Sequence, residues 1–199
     1  MVYRAYGFLD GAYLRNRARE ANQPLVNPRV LVSNILNRPE IQSWGVPPHS
    51  SGNIVLARVI YYDGRPDDDS NLPEQALSYW EAVELLPDTE LGFGSIRGGT
   101  KKKAPRQKAV DSLMAVDMLV GAFSHTYDVA VLIAGDADFV PVVNEVKRQG
   151  IMVVIAAIEG SHLSEDLLKA GDRFIAIGPG REASWFPPLY DKEQTWSAW

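Results

Sequence analysis

The stretch Val129-Ala130-Val131-Leu132-Ile133-Ala134-Gly135-Asp136-Ala137-Asp138-Phe139 runs apolar without interruption up to a glycine, then places two acids one residue apart. An unbroken apolar run of this kind predicts a strand buried on both faces, the environment of a parallel sheet. Asp136 and Asp138 then fall where that strand ends. In open α/β sheets the carboxyl ends of the strands form the crevice in which ligands bind. Two carboxylates so close repel each other unless a cation neutralises them, which makes a divalent metal the first expectation.

Working outward, the same pattern recurs. Downstream, a helix is expected over residues 139–149, with Pro141 in its first turn, Lys147 and Arg148 near its end, and Gly150 as its stop. Residues 151–157 form another wholly apolar strand, so strand, helix and strand read as a right-handed parallel crossover. A short helix over 161–170 and a last strand over 174–177 follow. Upstream, residues 3–9 read as a first strand that ends at Asp10-Gly11, which puts Asp10 in the same kind of position as Asp136. Either acid group could serve the helix that follows it: Asp10 as a cap for residues 12–21, and Asp138 as an N-cap for 139–149. A metal or catalytic role is the other reading of each.

Between these ends, Pro28 opens a second helix through Leu36, and residues 38–52, with Pro47-Pro48, read as a loop. Residues 53–62 read as an interior strand. The acid-rich run 63–69 reads as a solvated loop, because Gly64, Pro66 and Asn71 mark a turn. Residues 73–86 carry Ala76, Leu77, Trp80, Val83 and Leu86 at helical spacing, a packing stripe, and 91–96 read as a strand. The whole predicts a doubly wound α/β/α sandwich around a mostly parallel sheet. Residues 1–178 read as one domain, and 179–199 as an aromatic, proline-rich tail whose side chains pack on the domain, a second subunit or a partner; a homodimer is compatible with it.

The chain has 199 residues, no cysteine and three histidines. That length can bury a core without staples, and the composition removes disulfides and thiolate metal sites and disfavours a histidine-based zinc hydrolase. No segment reaches the ~18 apolar residues of a membrane span and no leader pattern opens the chain, so a cytoplasmic location is expected. The net charge of -5 argues against bulk adhesion to nucleic acid. It conceals a basic strip, however: Arg97, Lys101, Lys102, Lys103, Arg106 and Lys108 lie together without an acid, leaving -11 for the remainder. The strip reads either as a solvated loop or as an arm that grips phosphates.

The helix expected next, over about 107–124, aligns Leu113, Val116, Val120 and Phe123 in one apolar stripe, with Asp117 inside it about 40° from Leu113. A carboxylate on an apolar face needs a partner. Asp111 lies about 120° from Asp117 and ~9 Å along the axis, so the two are not placed to bind one ion symmetrically. Asp111 is expected closest to the metal. Asp117 is either a second ligand, an orienter of Lys108 or of metal-bound water, or a buried hydrogen-bonded acid.

Together these motifs resemble the NYN domain, a branch of the PIN-like nuclease superfamily, and in particular its bacterial LabA-like members. The resemblance rests on Phe8-Leu9-Asp10-Gly11, on Lys108-Ala109-Val110-Asp111 with Asp117 six residues on, and on Ala134-Gly135-Asp136-Ala137-Asp138-Phe139 followed by Val140-Pro141. Two positions depart from the family's pattern: Ala134 stands where serine is usual, and Ala12-Tyr13 where an asparagine is often seen. The resemblance implies a metal-dependent ribonuclease with Asp10, Asp111, Asp136 and Asp138 as its acidic metal site and Asp117 as a conditional member. Mg²⁺ or Mn²⁺ suits such oxygen ligands, and Lys108, Lys101, Lys102, Lys103, Arg97 and Arg106 would hold flanking phosphates. Single-stranded RNA is the expected substrate, since no helix looks built to read a groove. A noncatalytic RNA- or protein-binding module and a phosphatase on a similar scaffold are the rival readings.

Overall fold

The computed structural model describes residues 2–20, 26–43, 53–66, 74–97, 106–158 and 163–178. Seven strands, β1 (Val2–Asp10), β2 (Asn53–Pro66), β3 (Thr89–Arg97), β4 (Arg106–Lys108), β5 (Val129–Ile133), β6 (Met152–Ile158) and β7 (Arg173–Ile177), form one sheet in the order β4-β3-β2-β1-β5-β6-β7. Six of them run parallel, and the short β4 pairs antiparallel with β3 at one edge. Every residue of β5 and β6 is buried, as their unbroken apolar sequences demand.

The helices cover both faces. On one side α1 (Gly11–Glu20), α2 (Pro28–Leu36), α3 (Pro39–Gln42) and α4 (Glu74–Glu84) close over Ala5, Leu9, Val131 and Val154. On the other, α5 (Val110–Phe123), α6 (Val140–Arg148) and α7 (Glu165–Ala170) close over Phe8, Ala130, Leu132 and Val153. Alternate residues of one strand thus feed two cores. Gly7 permits a close approach: a Cβ there would lie 2.7 Å from Val32, so α2 rests directly on the β1 backbone. The expected α/β/α sandwich is the fold found.

From β1 the chain builds β2 and β3 on one side, then returns to lay β5 on the other side of β1. The strand order therefore reverses between β1 and β5, and their carboxyl ends flank the crevice that such a reversal opens. Asp10 ends β1, and Asp136 follows β5 by three residues.

Four local expectations are corrected. Strand β2 does not stop at Tyr62: Asp10 pairs with Tyr62, and residues Asp63–Pro66 continue above β1, paired with Phe93–Ile96 of β3. Asp63 is 1% exposed, not solvated. The helix expected from about 107 begins at Val110, because Arg106–Lys108 belong to β4 and Ala109 turns the chain at φ 73°. On that helix Val110, Met114, Met118 and Ala122 face the core, whereas Val116, Val120 and Phe123 are 54%, 58% and 57% exposed. Apolar residues nearly encircle α5, so two stripes compete, and the pliable methionines fill the sheet-facing one. Residues 38–52 also contain the short α3, where Pro39 stands in the first turn and Ile41 is fully buried. The tail 179–199, Lys101–Lys103 and His162 lie outside the described residues. Among the described residues no helix is long and apolar enough to cross a membrane.

Candidate active site

Gly11 explains how Asp10 is presented. A Cβ on Gly11 would lie 2.6 Å from the Tyr61 ring, and the Tyr61 hydroxyl donates to the Gly11 carbonyl at 3.3 Å. Only glycine lets β1 turn into α1 against that ring. The Asp10 Oδ1 accepts from the Tyr13 N–H at 3.0 Å, capping the first turn of α1. Burial nevertheless pushes the Asp10 carboxyl up to about 6; repulsion from Asp111 and Asp63 adds to it, and backbone N–H groups oppose it.

Asp136 caps a one-turn 3-10 helix, Ala137–Phe139, by accepting from the Asp138 N–H at 3.1 Å. Phe139 anchors that turn in the core. Asp136, rather than Asp138, is therefore the capping carboxylate, and both are exposed. Asp111 lies in the first turn of α5, also exposed, with its carboxyl pushed up by partial burial and then by Asp136 and Asp138. Asp111 thus lies within electrostatic reach of Asp10 and of Asp136 and Asp138. Asp117 is differently engaged: half-buried, it accepts from the Tyr62 hydroxyl at 2.9 Å. Burial and then Asp117 push that phenol above its ordinary range, so Tyr62 stays a neutral donor.

Sequence reasoning missed Asp63 and Arg15. The Asp63 carboxylate forms an ion pair with Arg15 of α1 and accepts from Trp80 Nε1 at 3.1 Å and from the Gly64 N–H at 2.8 Å. Burial opposes the Arg15 charge, but Tyr61 and Asp63 outweigh it and hold the guanidinium charged. No local signal placed Asp63 inside: β2 runs four residues past the level of Asp10, and its pairing with β3 sets that register.

Asp10 and Asp136 line a cleft of about 560 Å³ with Tyr13, Asn16, Leu163 and Ser164 among its other walls. Beside it, the ends of β2, β3 and β4 rise past β1; four residues beyond Asp10's level carry β2 about 13 Å farther. Arg97 pairs with Arg106, and Ser95 with Lys108, in this rising ribbon. The backbones of Arg97 and Arg106 therefore stand at the same end of the sheet as Asp10.

Among the described residues no three His, Asp or Glu side chains stand close enough to enclose a metal by themselves. The donor set is nonetheless that of a hard cation: all-oxygen, anionic and mutually repelling. Mg²⁺ characteristically binds through one or two carboxylates and keeps several waters, which fits carboxylates at this wider spacing.

The NYN domain profile matches residues 4–178. This chain belongs to the NYN domain family. NYN domains are PIN-like nucleases, whose members generally use divalent metals. A crystal structure of a Vibrio parahaemolyticus protein of unknown function superposes with a TM-score of 0.62 at 16% identity, covering 88% of this NYN chain and 93% of the other. That likeness bears on the fold. A search of curated proteins gave no match.

Proposed function

We propose that this NYN domain is a metal-dependent ribonuclease of the LabA-like branch that hydrolyses phosphodiester bonds of single-stranded RNA. The observation that supports it most is the repulsion that Asp111 shares with Asp10, Asp136 and Asp138 at the crevice where the strand order reverses. Uncompensated carboxylates gathered in this way are costly, and a bound cation offsets the cost. Of Asp10, Asp111, Asp136 and Asp138, one or two would hold the ion directly and the others through its bound waters, with Asp10 fixed by its helix cap and Asp136 by its own turn. A bound Mg²⁺ or Mn²⁺ supplies neutralisation of charge on the phosphate and activation of the attacking water. Asp117, held by Tyr62, keeps the first turns of α5 and hence Asp111 in place. Lys101, Lys102, Lys103, Arg97, Arg106 and Lys108 grip the flanking phosphates from the ribbon.

Incubating purified protein with labelled single-stranded RNA and Mn²⁺ tests the reading. Cleavage is expected, with a loss of at least about a hundredfold in Asp136→Asn. No cleavage, or cleavage undiminished by that substitution, removes it. That no three of these acids enclose an ion by themselves favours a second reading, a noncatalytic RNA- or protein-binding module. Calorimetric titration with Mn²⁺ separates the two, since a binding module has no need of the ion.

A further inference from the structure

The cleft is lined by more than its carboxylates. Tyr13, Asn16, Leu163 and Ser164, which line it beside Asp10 and Asp136, bring no charge of either sign. Tyr13 packs on the core layer beneath α1 and α2, whereas Leu163 packs on the opposite layer with α6 and α7. Two flat or apolar side chains therefore reach the cleft from opposite sides of the sheet.

Both walls are held. The Tyr13 hydroxyl accepts from the Ile158 N–H at 3.2 Å. The Ser164 N–H donates to the Gly135 carbonyl at 3.0 Å, and its Oγ accepts from the Leu167 N–H at 3.4 Å, leaving the hydroxyl proton to donate elsewhere. Asn16, exposed one turn along α1 from Ala12, offers an amide with both donor and acceptor.

Among the described residues that line the cleft, a phosphate finds no cation. An extended peptide finds no free strand edge there, because β1 and β5 are paired on both sides. A heteroaromatic ring fits: its faces need apolar contacts on two sides, and its edge needs mixed hydrogen-bonding groups at the rim. We propose that the uncharged part of the cleft lining seats one unpaired nucleobase of a single strand, its faces against Tyr13 and Leu163 and its edge read by Asn16 and Ser164. A base within a duplex is stacked on its neighbours and cannot offer both faces, so the seat selects single-stranded substrate. The inference rests on the reading of the neighbouring aspartates as the place where the adjoining phosphodiester is held.

Saturation-transfer NMR on the full chain, in EDTA and with the four ribonucleosides as probes and ribose as control, reads the seat without metal or cleavage. Transfer to base protons is expected to exceed that to ribose. It should fall at least about fivefold in Leu163→Ala and in Tyr13→Ala, persist in Tyr13→Phe, and shift its preference among the four bases in Asn16→Leu. No transfer above the ribose control, or transfer unchanged in both alanine variants, overturns the proposal. Should Tyr13→Ala fail to fold, Leu163→Ala and Asn16→Leu carry the test. With CaCl₂ in place of EDTA, so that a cation covers the aspartates, a dinucleoside monophosphate is expected to displace a nucleoside at lower concentration than a second nucleoside does; the reverse assigns the seat to free nucleosides and overturns the single-strand assignment. A chain that takes the nucleosides but cleaves no RNA keeps the seat and loses the hydrolytic reading. An active chain that ignores them does the opposite.

Discussion

Arg15 of α1 closes an ion pair onto the carboxylate of Asp63, which is 1% exposed, and the Asp63 charge reaches Asp10 one strand away. The pair ties the helix that starts at Asp10 to the strand that rises beside it. The base of the candidate site is thus braced by charges that do not themselves line the cleft.

Removing one member of that brace leaves the other buried and uncompensated. Asp63→Asn keeps an acceptor for Trp80 Nε1 but strands the Arg15 charge, and is expected to cost about 3 kcal/mol. Urea denaturation at pH 7 measures it. A loss below a few tenths of a kcal/mol means the pair does not brace the fold.

The carboxyl of Asp10 sits at about 6 in the folded chain against an ordinary value of 3.8. Because the folded form holds its proton more tightly, the associated stability is fully present below about pH 4 and is lost as pH rises through about 6. Above that the ionised group costs about 3 kcal/mol. Asparagine caps a helix as well as aspartate does. Asp10→Asn should therefore raise the melting temperature at pH 8, leave it nearly unchanged near pH 4, and abolish cleavage. Equal melting shifts at both pH values contradict the assignment.

A cation that relieves the repulsion binds the folded chain selectively, so Mn²⁺ should raise the melting temperature, by the equivalent of about 2.7 kcal/mol at a hundred times its dissociation constant. Thermal scans with MnCl₂ and with EDTA measure the difference. Asp10→Asn and Asp136→Asn should shrink it, whereas Asp166→Asn, on the exposed first turn of α7, should not.

Gly11→Ala tests how finely Asp10 is placed. The new methyl meets the Tyr61 ring at 2.6 Å, so ring or helix must shift, and about 1–3 kcal/mol of stability should go with it. Activity should fall further than stability explains, because α1 moves with its capping acid. Full activity in a well-folded variant would show that Asp10 tolerates displacement.

The ribbon's basic strip predicts a salt effect. Replacing Lys101, Lys102 and Lys103 by glutamine should weaken single-stranded RNA binding for all sequences alike and lower the slope of log affinity against log salt by about 2. Filter binding over a range of salt concentrations reads it, and an unchanged slope takes these lysines out of the interface.

Several features were readable in the chain itself. Unbroken apolar runs at residues 129–133 and 152–158, each followed by a helix, announce buried parallel strands, and Asp10 and Asp136 announce themselves by ending such runs. The signals are local: side chains two apart share a strand face, and those three or four apart share a helix face, so neighbours in sequence suffice to write them. The β2 register, the rotation of α5 and the opposed walls of the cleft are not local. Residues 53–66 could stop at Tyr62 or carry Asp63 inward, and only the meeting with Arg15, Trp80 and β3 chose the second. An α5 that is apolar almost all round could bury either stripe, and the shape of the sheet chose the methionines. Tyr13 and Leu163 stand 150 residues apart and come to one cleft from two cores because the strand order reverses between β1 and β5. Sequence wrote the elements and the acids at their ends; close packing of those elements, which fills space with whatever register and rotation leaves the fewest gaps, decided which side chains meet.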